Sequence, residues 1–135
     1  MNEDLVPFEI AIKLKEKKYD YPCDMYYHIY EDVNTSQWSL ESTGDGSYSF
    51  LNSLNNYRCA APTIFQVLKW LREEKLILIG LAPMIEYGGD ELVEWCAAIY
   101  KAGKQGGLIW QEDFYNQSYE QAAIAGIEYV LDNLI

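Results

Sequence analysis

The sequence predicts an α+β fold: an antiparallel sheet of about four or five strands, covered on one face by helices. Three observations carry this expectation. Two amphipathic stretches at helical spacing each begin with a capping signal, at Thr63 and Ser118. Asp24 to Glu31 alternates aromatic and β-branched residues with others, as a strand does. Turn signals such as Thr43-Gly44-Asp45-Gly46 and Gly88-Gly89 separate the remaining apolar runs at hairpin spacing. The predicted order is α-β-β-α-β-β-(β)-α, within one domain spanning residues 1–135.

The first helix is expected from Pro7 to Lys18. Proline suits a first turn, where its missing N–H would lack a helical partner. Phe8, Ala11, Ile12 and the stem of Lys15 line one face, and Ile10 and Leu14 widen it. Lysines gather near the C-terminal end, where they complement the helix dipole. Tyr19-Asp20-Tyr21-Pro22 ends the pattern.

The strand Asp24–Glu31 comes next. Met25, Tyr27 and Ile29 point one way, and Tyr26, His28 and Tyr30 the other. Asn34-Thr35-Ser36 marks a turn, Trp38 to Glu41 a short strand, and Ser47 to Leu51 a further candidate strand. Asn52 to Arg58 reads as polar and irregular.

The second helix is the clearest element. Thr63 and Gln66 form a capping box, and Ile64, Val67, Leu68 and Leu71 follow at the spacing of a buried face, flanked by Phe65 and Trp70. Leu76 to Ile79 is a strand. Met84 to Tyr100 reads as a hairpin around the diglycine. Within it, Leu92, Trp95, Cys96 and Ile99 fit helical spacing, whereas Val93, Trp95, Ala97 and Ile99 fit alternation; the preceding diglycine favours strand. Leu108-Ile109-Trp110 is a short strand. Ser118 and Gln121 open a closing helix with Ala123, Ile127, Val130, Leu131 and Leu134 on one stripe.

Composition restricts function. The formal net charge is −11, with −4 over residues 1–75 and −7 over residues 76–135. Phosphate backbones are bound by Lys and Arg that displace counterions, and the second half offers only Lys101 and Lys104. No nucleic-acid partner is expected; Lys13, Lys15, Lys17 and Lys18 have the ordinary role of a solvated helix face. The longest apolar run, Leu76 to Ile85, is far short of the roughly 20 residues of a membrane helix. Met1-Asn2-Glu3-Asp4 is acidic where a secretion signal is basic. The expectation is a cytoplasmic protein with no membrane partner.

Catalytic signals are weak. Cys23, Cys59 and Cys96 are odd in number and form no C-x-x-C pair, so neither a zinc site nor a disulfide framework is expected. His28 is the single histidine. Asp24 with Glu31 or Asp32, and the cluster Glu86, Asp90, Glu91 and Glu94, have no diagnostic spacing. Neither Ser42–Ser47 nor Gly103–Gly107 completes a phosphate or dinucleotide motif. No cofactor, metal or catalytic residue is assigned.

Tyrosine stands out. Five of the twelve lie between Tyr19 and Tyr30. Its large apolar ring, polar tip and few rotors suit recognition. Tyr26, His28 and Tyr30, on one strand face, are therefore the candidate interaction surface, for a protein partner or for self-association as a homodimer. The expected function is a non-enzymatic interaction module. The rival is a small enzyme using acidic residues and His28 in a sheet cleft.

Two stretches resemble a family of small uncharacterised α+β proteins from gut bacteria and their phages. One is Ala61-Pro62-Thr63, through Val67, to Trp70-Leu71-Arg72-Glu73 and Lys75. The other is Ser118-Tyr119-Glu120-Gln121-Ala122, running into Gly126-Ile127 and Leu134-Ile135. Asp20-Tyr21-Pro22-Cys23 is similar too. The resemblance implies a fold and a bacterial or phage accessory gene. That family has no assigned activity, so no catalytic residue carries over.

Overall fold

Both capping signals close as hydrogen bonds. The Gln66 N–H donates to Thr63 Oγ1 at 3.1 Å, and the Thr63 N–H donates to Gln66 Oε1 at 2.8 Å. The Gln121 N–H donates to Ser118 Oγ at 3.1 Å. These bonds satisfy N–H groups that a helix start otherwise leaves without partners. The computed structural model describes residues 4–29, 38–42, 58–85, 92–103, 107–111 and 118–135. Among them the order is α1 (Phe8–Glu16), β1 (Met25–Ile29), β2 (Trp38–Ser42), β3 (Arg58–Ala60), α2 (Ile64–Glu74), β4 (Ile77–Ile85), β5 (Leu92–Lys101), β6 (Leu108–Gln111) and α3 (Tyr119–Asn133). The chain divides into two compact units, Met1–Gln66 and Val67–Ile135.

The mixed α+β class holds, but the sheet differs from expectation. In place of one sheet of four or five strands, the described residues form two three-stranded antiparallel sheets, ordered β2-β1-β3 and β4-β5-β6. The order of the described elements, α-β-β-β-α-β-β-β-α, has a strand before the second helix that begins at Arg58, the end of the tract expected to be irregular. Three residues are too few to show a period. Arg58–Ala60 is a strand because it pairs with β1 and buries Cys59 and Ala60. The candidate strand Ser47–Leu51 lies outside the described residues.

In the first unit, α1 packs against β3. Its core side is Ile10, Ala11 and Leu14; Phe8 and Ile12, expected at the centre of the stripe, are half-buried. Tyr27 of β1 is buried, and its hydroxyl donates to the Val6 carbonyl at 2.6 Å. The segment before α1 runs beside the start of α2, through a Leu5–Thr63 bridge and a bond from Val6 N–H to Pro62 O at 3.0 Å.

In the second unit, α3 packs across β4 and β5. Residues 92–101, open to either spacing in the sequence, are strand. Ala122, Ala123, Gly126, Ile127, Val130 and Leu131 form the buried stripe of α3; Leu134, expected in it, is half-buried beside the helix end. In α2, Val67, Trp70 and Leu71 are buried, and Leu68, expected with them, is half-buried. No helix among the described residues is long and apolar enough to cross a membrane.

Candidate interaction surface

β1 is the middle strand of its sheet, so Tyr26 and His28 sit at the centre of one face. Register places Tyr26 opposite Glu41 and Ala60, and His28 opposite Ser39 and Arg58. The Arg58 guanidinium lies over the Tyr26 ring, 5.2 Å from its centroid, a cation–π contact. Both Tyr26 and His28 are half-buried. Tyr30, the third member of the expected surface, lies outside the described residues. Glu41 is the diagonal neighbour of His28 on this face. Of the other acids considered, Asp24 is exposed just before β1, whereas Glu31, Asp32, Glu86, Asp90 and Glu91 lie outside the described residues.

The opposite face of the same sheet carries an aromatic cluster. Phe8 and Trp38 stack with centroids 5.4 Å apart, and Tyr27 meets Trp38 edge-on at 4.8 Å and Phe8 edge-on at 5.4 Å. A groove of 410 Å³ runs along α1 beside Trp38, lined by Phe8, Ile12 and Trp38 with Glu9, Lys13 and Glu16. It lies away from His28, because Trp38 faces the helix side and His28 the other.

All three cysteines are buried free thiols. Burial pushes Cys23 up to about 11, with Asp24 adding to the effect and an N–H bond from Ala61 opposing it. Burial pushes Cys59 up to about 12, against the nearby Lys15 ammonium. The thiolate is the reactive form, so neither is poised as a nucleophile. Among the described residues no three His, Cys, Asp or Glu gather as a metal site.

The second sheet shows a different surface. One face is covered by α3: Trp110 stacks on Tyr129 at 4.3 Å, Trp95 meets Tyr119 edge-on at 5.2 Å, and Ile77, Ala97 and Ile99 are buried. On the other face, Leu78, Tyr100 and Leu108 are direct register partners across β4, β5 and β6. Their exposures are 49%, 39% and 51%, which is high for adjacent large apolar side chains. The Tyr100 ring lies between two glycines: a Cβ at Gly80 would sit 3.4 Å from its Cε2, and one at Gly107 3.8 Å from its Cδ1. Both glycines thus lie at van der Waals distance from the ring. The sequence hides this row because both faces of Leu76–Ile79 are apolar, so alternation has no polar side to mark as outward.

Comparison with protein-family models, curated proteins and solved structures finds no match.

Proposed function

We propose that the chain is a non-enzymatic interaction module whose contact surface is the Leu78–Tyr100–Leu108 row. One observation carries the reading. A chain of net charge −11 has ample polar residues with which to cover a sheet, yet this face presents large apolar side chains in a continuous line. Contiguous exposed apolar area on a folded domain marks contact with another macromolecule. The β1 face serves the reading less well, since Tyr26 lies beneath Arg58. Cys23 and Cys59, buried and raised well above the ordinary thiol value, add no chemistry that would favour an enzyme.

The test is a photo-crosslinking amino acid placed at Leu108 in cells expressing the chain. A defined adduct that disappears when Tyr100→Glu is added supports the reading. An adduct pattern indifferent to Tyr100→Glu rejects it.

A second reading is an acid–base enzyme using His28 with Glu41, motivated by their diagonal placement on one face. Hydrolase and transferase substrate panels on the wild type and His28→Gln test it. Activity lost in His28→Gln with the fold retained would favour it over the interaction module.

A further inference from the structure

We infer that the occupant of the Leu78–Tyr100–Leu108 row is a second copy of this chain. The inference rests on the interaction reading and names its partner.

The row is symmetric in its chemistry. Tyr100 stands on the middle strand, with one leucine on each neighbouring strand. A two-fold axis lying in the interface through Tyr100 brings the two tyrosines together. Whichever way one row is laid on the other, leucine then meets leucine. A self-complementary patch of this kind is what a two-fold homodimer requires.

Charge points the same way. Two chains of net −11 repel, so copies can associate only through a surface that lacks that charge. Alternation and register assign Leu78, Gly80, Ala82, Ala98, Tyr100 and Leu108 to this side, all uncharged, with the buried Cys96 among them. Glu94, opposite Met84 at the far end of β5, is the one acid that the described residues of these strands place there. A basic partner, the natural complement of an acidic protein, would find nothing to pair with along the row. A second copy finds an equally neutral face.

A stable pair buries roughly 800 Å² on each partner. The three half-exposed side chains of the row, with the neighbouring exposed Ile109 and Ala82, supply only the apolar centre of such a contact.

Sedimentation velocity over a concentration series reaching the high micromolar range is the test. Wild type is expected to shift from monomer to dimer. Tyr100→Glu puts two carboxylates near the axis and is expected to weaken the dimer about 30-fold or more, the effect of losing a central anchor. Leu78→Glu with Leu108→Glu sets acid against acid in either direction of the row and is expected to do the same. Phe65→Glu introduces the same charge at a side chain that is 70% exposed on α2 and is no part of this row, and is expected to leave the dimer intact. Circular dichroism checks that each variant is folded; should the sheet variants unfold, the wild-type series and Phe65→Glu still decide. A monomer at every concentration, or equal loss in Phe65→Glu, overturns the inference. If the crosslink at Leu108 still captures another protein in a Tyr100-dependent way, self-association alone has failed. If that crosslink is also absent, the interaction reading has failed with it.

Discussion

Gly126 of α3 rests directly on Ile79 of β4: a Cβ at position 126 would lie 2.9 Å from Ile79 Cγ2 and 3.4 Å from the Ala97 methyl. Cγ2 is a branch-point methyl on a stiff side chain, so it does not swing aside. Replacing Gly126 by Ala gains about 1 kcal/mol of helix propensity. It also overpacks the contact between helix and sheet, which costs about 1–3 kcal/mol. Gly126→Ala is therefore expected to lower stability in urea unfolding by about 1 kcal/mol. A gain in stability would show that the helix lifts off the sheet without penalty.

The cap at α2 sets a second expectation. Thr63→Ala removes the acceptor for the Gln66 N–H and is expected to cost about 0.5–2 kcal/mol. Gln66→Ala is expected to cost at least as much, because this side chain accepts from Thr63 N–H and also donates from Nε2 to the Pro22 carbonyl at 3.2 Å. Gln66→Glu keeps the acceptor and loses the donor, so it should fall between Gln66→Ala and wild type. Thermal melts of the three variants check the order; a Thr63→Ala variant as stable as wild type would mean that solvent satisfies the helix start equally well.

These caps were legible in the sequence because a cap is a local event, complete within four residues. The return of β5 was legible only in part. The hairpin was expected from Met84, whereas β4 runs unbroken from Ile77 to Ile85 and takes in most of the separate strand expected at Leu76–Ile79. It pairs with β5 along its length, and the diglycine itself lies outside the described residues. The division into two sheets was not legible. Nothing local distinguishes strands that share a sheet from strands that do not, and Arg58–Ala60 is a strand only because β1 lies beside it. The candidate surface was partly legible. Tyr26 and His28 do share a face, but cross-strand partners decide what each meets, and Arg58 over Tyr26 comes from a tract that read as irregular. The Leu78–Tyr100–Leu108 row joins three strands and has no signature within any one of them.

Burial within α2 separates two leucines that helical spacing treats alike. Leu71 is fully buried and Leu68 is half-buried. Leu71→Ala is expected to cost about 2–5 kcal/mol, through lost transfer energy and the cavity left behind. Leu68→Ala removes side chain that water already reaches in part and is expected to cost no more than about half as much. Chemical denaturation of the pair checks this. Equal losses would place Leu68 in the core after all.

Alkaline pH provides a test of the buried thiols. Cysteines that ordinarily titrate near 9.0 are pushed up to about 11 at Cys23 and about 12 at Cys59, chiefly by burial. The folded chain thus holds these protons where the unfolded chain releases them. Linkage fixes the sign: a group with a raised folded value contributes stability fully below about pH 9 and loses it as pH rises toward 11 and 12. Tyr19 and Tyr27 are raised by burial as well and act in the same direction. Lys15 acts the other way. Burial lowers its value against the opposing pull of Cys59, so raising the pH relieves the cost of its charge in the fold. The two thiols carry large shifts that lie across this interval, so the net effect is a fall. Urea unfolding under reducing conditions is therefore expected to show lower stability at about pH 10.5 than at about pH 8. Cys59→Ala is expected to show a shallower fall across the same interval, because it removes the most strongly raised thiol, whatever its own stability at neutral pH. Alkylation by iodoacetamide at about pH 8 should be slow in the folded chain and fast in urea, since only the thiolate reacts. A stability that is flat or rising from neutral to alkaline pH, with rapid alkylation of the folded protein, would mean that Cys23 and Cys59 are open to water.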